Sequence, residues 1–147
     1  MNQGTLLYIY NYLFDDLSSK NKYFLVLKEI NETESILVSL PSSKDYIPST
    51  AKIEHGCIDL SLTAQQTTYC FEKDKIITKD TSFCFPLNTF VYGQYLTSIK
   101  ISDFTTKYPV EGVHYEKIGI LNDVEIDNII NCFKNSNVVK NKYKKLL

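Results

Sequence analysis

Two short polar stretches in the first third of the chain carry side chains that can contact a phosphate group. Lys22 offers an ammonium, and Ser42 and Ser43 offer neighbouring hydroxyls. Lys44 adds a second charge to the serine stretch, and Tyr46 adds a ring on which an unpaired base can stack. Structural roles are open for the same groups: Lys22 as a solvated loop lysine, and the serine hydroxyls as partners of the turn backbone.

The basic residues of the chain are all lysines. There are 16 of them and no arginine. An ammonium meets phosphate as a point charge, whereas a guanidinium can clamp two oxygens at once. Residues 1–133 carry 11 lysines and all 17 acidic residues, a net charge of −6, whereas residues 134–147 carry five lysines and no acid. A basic tail therefore follows an acidic body, and its lysines either contact nucleic acid or form a solvated, frayed end.

The histidines and cysteines give weaker signals. Either His55 or His114 could act as a general base or acid near neutral pH, or be an ordinary surface or core histidine. The four cysteines show no CxxC spacing, which favours buried free thiols over zinc ligands. These cysteines are Cys57, Cys70, Cys84 and Cys132. The sequence thus predicts no metal site, no cofactor and little response to reducing agents.

The elements that must position these groups are mostly short strands. Predicted strands cover residues 5–14, 23–30, 35–40, 56–60, 68–71, 76–78 and 89–92, which are rich in β-branched and aromatic residues. The second and third should form a hairpin, and residues 15–22 should form an exposed, mobile loop before it. Many short strands with turns between them predict a barrel or a sandwich.

The first strand contains four alternating aromatic residues, Tyr8, Tyr10, Tyr12 and Phe14. Alternation at the strand period places all four on one face. That face is expected to form a barrel core or a dimer interface, with an RNA-stacking platform as the alternative.

The last predicted element is a helix over residues 121–133. Apolar residues recur at helical spacing, with Asn122 as its N-cap and Glu125 completing a capping-box-like start. The helix should pack through one face made of Ile126, Ile129, Ile130 and Phe133. At 147 residues, the chain is expected to form one domain over residues 1–134, followed by a lysine-rich tail over 135–147.

Five segments, in this order, resemble the PemK/MazF family of bacterial toxin ribonucleases. Gly4 resembles the glycine that opens these toxins, and residues 22–27 (KYFLVL) resemble the Arg-Pro-Ala-Leu-Val-Leu stretch of the family. The other three segments are ILVSLPSS at 36–43, LNTFVY at 87–92 and KIGILNDVE at 117–125. The resemblance implies a mainly β (β+α) fold, a small SH3-like barrel of the CcdB/PemK type with a C-terminal helix.

The resemblance also implies an activity: metal-independent cleavage of single-stranded RNA, in which the RNA's own 2′-hydroxyl attacks the neighbouring phosphate. It assigns catalytic positions to Lys22, Ser42 and Ser43. Beside them, Tyr23, Lys44 and Tyr46 are predicted to contact the RNA. The family's Arg-Pro pair is absent here, where the chain has Lys22 followed by Tyr23-Phe24. Lys22 is left to supply the charge, and only a slow enzyme is expected.

Two function classes therefore remain open. The first is a divergent toxin endoribonuclease, which the family resemblance implies to be a homodimer with an antitoxin protein as partner. The alternative is a catalytically inactive SH3-like barrel that binds a protein or peptide in the same groove. A positive groove around Lys22, Ser42 and Lys44 would favour RNA, and a negative one a protein. No apolar stretch is long enough to span a membrane, and residues 1–4 lack the basic stretch of a secretion signal, so a cytoplasmic location is expected.

Overall fold

The chain folds into two antiparallel sheets with three helices. A computed structural model describes residues 1–147. The strands are β1 Thr5–Leu13, β2 Ser19–Ile30, β3 Ser35–Ser39, β4 Gly56–Leu60, β5 Gln66–Phe71, β6 Thr89–Tyr92, β7 Thr97–Lys100 and β8 Tyr115–Ile120. The helices are α1 Ile101–Lys107, α2 Asp123–Lys134 and α3 Asn141–Lys144, with 3-10 turns at Asn31–Thr33 and Gly93–Tyr95.

The larger sheet has the strand order β7-β3-β2-β1-β8, and the smaller has the order β4-β5-β6. One bridge leads from the serine stretch to the smaller sheet. The N–H of Ser42 donates to the carbonyl of Phe90 at 3.0 Å, and the N–H of Phe90 donates to the carbonyl of Ser42 at 2.7 Å. The mainly β character is confirmed, but the sheets do not close into the expected barrel. Pro41 and Pro48 lie within the long connection between β3 and β4, and proline, which has no N–H, cannot continue a ladder of hydrogen bonds there.

Most predicted strands are confirmed, including the β2–β3 hairpin. The predicted loop over residues 15–22 is wrong in its second half, because β2 already begins at Ser19 and pairs with β1. Lys20 and Lys22 are therefore strand residues. The strand predicted at 76–78 is reduced to a single bridge between Thr78 and Leu121. The elements predicted from the sequence did not include β7, β8 or α1.

A β-bulge overturns the prediction that the four aromatics of β1 share one face. Asn11 has a φ of 53°, and its N–H donates to Oδ1 of Asn21 at 3.0 Å. The register of β1 against β2 shifts at this point, which inserts one residue into the alternation. Tyr12 consequently packs with the Phe24 face of the sheet, whereas Tyr8 lies against Tyr23 on the other face.

The largest core cluster joins the two sheets to α2. Ile126, Ile129 and Phe133 are buried as predicted, and Ile130 is half-buried against the same cluster. The tail also contributes to this core, through Val139, Tyr143 and Leu147. Its lysines remain largely exposed while the apolar residues between them pack, so the end of the chain is attached to the core rather than frayed.

Cys57 on β4 and Cys132 on α2 form a disulfide with a Cα–Cα distance of 5.5 Å. The expectation of four free thiols is therefore wrong for this pair. The two cysteines are 75 residues apart, and only the packing of α2 over β4 brings them together. Cys70 and Cys84 are free, and burial raises the pKa of the Cys70 thiol to about 11. None of the helices has the length and apolar character needed to cross a bilayer.

Candidate functional site

All six residues predicted for the site line two adjoining cavities, hereafter the groove. The first cavity, of about 300 Å³, contains Tyr23 and Ser43 in its wall. The second, of about 240 Å³, contains Tyr46. Four residues line both cavities, and we call them the shared centre: Lys20, Lys22, Ser42 and Lys44.

Two strands and one bridge position the shared centre. Lys20 and Lys22 alternate along β2, so both side chains leave the same face of the sheet. Ser42 is fixed opposite them by its backbone pairing with Phe90. The N–H of Lys44 donates to Oγ of Ser42 at 3.2 Å, which turns the following loop across the opening.

Tyr92 holds the loop of Lys44 and Tyr46 in place through its hydroxyl. Its hydroxyl donates to the carbonyl of Lys44 at 2.5 Å and accepts from the N–H of Tyr46 at 2.9 Å. Burial raises the pKa of Tyr92 to about 12, so the hydroxyl keeps its proton as a donor. The tyrosine thereby holds a lysine and an aromatic ring of the groove in place from a buried position.

The groove is positively charged. Lys20, Lys22 and Lys44 contribute three ammonium groups, and neither cavity is lined by an aspartate or glutamate. The nearest acid along the loop, Asp45, accepts from the N–H of Ile47 at 2.8 Å. Burial, followed by the charges of Lys20 and Lys44, lowers the pKa of Lys22 to about 8. Lys22 can therefore hold or release a proton near neutral pH.

The hydroxyls of Ser42 and Ser43 differ in the hydrogen bonds that they make within the chain. Oγ of Ser42 accepts from the loop backbone, so the turn-stabilising role considered from the sequence is present, while its own proton is left to donate. The Ser43 side chain is exposed and makes no hydrogen bond within the chain. Ser43 is thus the freer of the two to contact a ligand.

A second cluster of titratable groups lies away from the groove. Nε2 of His55 lies 2.6 Å from Oε1 of Glu125, and the hydroxyl of Tyr69 donates to Oε2 of the same carboxylate at 2.5 Å. Nδ1 of His55 accepts from the N–H of Glu72 at 3.1 Å, so Nε2 carries the proton that Glu125 accepts. Burial, followed by the hydrogen bond to Glu125, raises the pKa of Tyr69. Every strong polar group of this cluster has a partner inside the chain.

The predicted capping box of α2 is half confirmed. Oδ1 of Asn122 accepts from the N–H of Glu125 at 2.9 Å. The Glu125 side chain does not return to the N–H of Asn122, which donates instead to the carbonyl of Ile77. The second histidine, His114, accepts at Nδ1 from the N–H of Val110 at 3.2 Å and lines no part of the groove.

The sequence reading missed several groove residues. Lys20 could have been found from its alternation with Lys22, had residues 19–22 been assigned to the strand. Tyr95 follows β6 by three residues and gave no sequence signal for a site. The remaining wall residues are Tyr8, Asn21, Pro41, Phe85, Pro86, Leu87 and Thr89 in the first cavity, and Phe14, Leu40 and Tyr92 in the second.

No group of three or more histidine, cysteine, aspartate or glutamate side chains is arranged to hold a metal ion. Comparison with protein-family models, with curated proteins and with solved structures finds no match to this chain.

Proposed function

We propose that the chain is a divergent endoribonuclease of the PemK/MazF type, which binds single-stranded RNA in the groove and cleaves it slowly without divalent metal. The observation that carries this proposal is the charge of the groove: three lysines and two serine hydroxyls face a site that no carboxylate lines. A phosphate backbone is attracted to such a surface, whereas an acidic residue there would repel it.

Cleavage by the 2′-hydroxyl needs a group that accepts its proton. The sequence assigned the charge-stabilising role to Lys22, but a pKa of about 8 favours the base role. In this scheme the neutral Lys22 amine takes the 2′-hydroxyl proton, and the 2′-oxygen attacks phosphorus. The bond from phosphorus to the 5′-oxygen then breaks, leaving a 2′,3′-cyclic phosphate and a 5′-hydroxyl.

The remaining lysines offset the charge that develops on phosphate. The ammonium groups of Lys20 and Lys44 are next to Lys22, and either can protonate the leaving 5′-oxygen. The Ser43 hydroxyl can donate to a non-bridging oxygen. Point charges orient a phosphorane less specifically than an arginine fork, which is why a low rate is expected.

The decisive experiment is cleavage of a single-stranded RNA by purified protein in the presence of a metal chelator. Lys22→Ala should reduce the rate by about a hundredfold, the usual loss for one proton-transfer group. Lys52→Ala is the matched control, because Lys52 is exposed, pairs with Glu54 and lies outside the groove, while its removal changes the net charge equally. Double-stranded RNA should resist cleavage, because its 2′-hydroxyls are held away from in-line attack. DNA should resist cleavage because it lacks the 2′-hydroxyl.

Intact RNA after hours with wild-type protein at pH 8 would overturn the nuclease proposal. The alternative would then be the inactive binding module, whose partner would contact the same groove. The acidic net charge of residues 1–133 is the observation that favours this alternative. Toxicity on induction in bacteria, neutralisation by an antitoxin and homodimer formation are further predictions of the nuclease proposal.

A further inference from the structure

Aromatic residues make up a larger share of the wall in the second cavity than in the first, four of nine against three of 13. Phe14, Tyr46, Tyr92 and Tyr95 all line the second cavity, together with the four residues of the shared centre. Tyr46 is 54% exposed and Tyr95 is 64% exposed. Large aromatic rings exposed to this extent beside a cluster of lysines are the arrangement with which proteins bind unpaired bases.

The rings form a connected series over a fixed base. Tyr92 lies between the other two tyrosines, with ring centroids 5.4 Å from Tyr46 and 6.0 Å from Tyr95. Tyr92 is 4% exposed and its hydroxyl is bonded on both sides to the loop of Lys44. The exposed rings are therefore held by a buried one, which lowers the entropy lost when a flat ligand stacks on them.

Another part of the wall combines a ring with a charge. Nζ of Lys20 lies 5.9 Å from the centroid of the Phe14 ring, within the range of a cation–π contact. A nucleotide with its phosphate at the shared centre and its base towards the tyrosines would meet both kinds of group within one cavity. A peptide would gain little from three adjacent ammonium groups unless it were acidic.

We infer that this second cavity is a base-stacking subsite for single-stranded RNA, in which Tyr95 and Tyr46 stack on the base next to the phosphate held at the shared centre. The identity of the ligand rests on the proposed function, but stacking does not require cleavage. Because every nucleobase has a flat face, the subsite should tolerate any base and add affinity rather than sequence preference.

The test is binding of a fluorescently labelled, fully 2′-O-methylated RNA oligonucleotide, measured by anisotropy at low salt. This probe lacks the attacking hydroxyl, so binding is measured apart from cleavage. Tyr95→Ala should weaken binding by about tenfold, and Tyr95→Phe should bind like the wild type. Leu62→Ala is the control, because Leu62 is 90% exposed and lies outside the groove.

A second probe locates the contact. An oligonucleotide with abasic sugars throughout should bind the wild type more weakly than the methylated probe does. This abasic probe should bind Tyr95→Ala and the wild type equally, because it has no base to stack on the ring. Equal binding of the methylated probe by Tyr95→Ala and Leu62→Ala would overturn the subsite, even if unmodified RNA is cleaved. Binding that depends on Tyr95 without any cleavage would keep the subsite and overturn the nuclease. If neither probe binds, both proposals fail and a protein partner becomes the occupant.

Discussion

The groove and the His55 cluster both collect titratable side chains, but they use them in opposite ways. In the groove, three lysines lie together with no acid lining the cavity. In the cluster, a histidine and a tyrosine share one carboxylate, and the backbone occupies the second histidine nitrogen. Like charges gathered at an open cavity cost stability, whereas a closed set of hydrogen bonds adds to it.

This difference shows why a titratable residue in a sequence is a poor guide to a site by itself. From residue types alone, the two histidines were the candidates for a general base, and Lys22 was assigned only the charge-stabilising role. The structure places His55 at the end of a satisfied network beside the disulfide-linked strand β4. Unused hydrogen-bonding capacity at a cavity, rather than residue type, distinguishes the groove.

The largest effect is expected from removing the disulfide beside the His55 cluster. Reduction, or Cys132→Ser, should lower the free energy of unfolding by about 4 kcal/mol, since the bond closes a long loop in the unfolded chain. Urea unfolding with and without dithiothreitol measures it. Cys84→Ser is the control, because Cys84 is free and half-buried. Identical unfolding midpoints in the two conditions would contradict the disulfide.

The second prediction breaks the cluster itself. Glu125→Ala should cost about 3 kcal/mol, because it leaves the Tyr69 hydroxyl and the His55 N–H buried without an acceptor. Glu54→Ala is the control, since the Glu54 side chain is exposed and pairs with the exposed Lys52 instead of with a buried donor. Thermal unfolding gives the difference. RNA binding by the folded Glu125→Ala variant should be unchanged, and a loss of binding would connect the two regions.

The third prediction concerns the role of Lys22 in the groove. If its neutral amine is the base, the cleavage rate should rise about tenfold between pH 7 and the plateau above pH 8, because only about a tenth of the amine is neutral one unit below its pKa. A rate that falls as pH rises through 8 would return Lys22 to the charge-stabilising role assigned from the sequence.

The smallest expected effect is on stability. The folded chain binds the Lys22 proton less tightly than the unfolded chain does. Lys22 therefore lowers the free energy of unfolding below pH 8, and this loss disappears as the pH rises from 8 to 10.5. Lys22→Met should therefore gain on the order of 1 kcal/mol at pH 7, after allowance for the solvent that still screens the half-buried side chain, and nothing above pH 10.5. Lys28→Met is the control. If Lys22→Met were less stable than the wild type at pH 7, the buried charge of Lys22 would not be lowering the stability of the folded chain.

Localisation is affected by the disulfide as well. Structural disulfides persist in oxidising compartments and are rare in the cytosol. The cytoplasmic location therefore stays a prediction that the disulfide weakens. The measurement under reducing conditions described above also shows how much stability the chain would retain there.

Most of the local elements could be predicted from the order of residues along the chain. β4, β6, the β2–β3 hairpin and α2 with its Asn122 cap follow from period, residue type and turn residues that are close together in the chain. This order also brings the six residues predicted for the site near one another, because β2 pairs with β3 and the stretch from Ser42 to Tyr46 follows the end of β3. These features depend on interactions between residues that are near in sequence or paired by a short turn.

Features that depend on contacts between distant segments of the chain could be seen only in the folded structure. The Cys57–Cys132 bond, the partnership of His55 with Glu125 and the aromatic wall around Tyr95 each join residues or elements whose spacing in the chain carries no signal. The bulge at Asn11 reversed the aromatic face of β1, because one inserted residue changes the side on which all later side chains lie. The lowered pKa of Lys22 likewise arises from burial and from two neighbouring charges that only the folded chain brings to it.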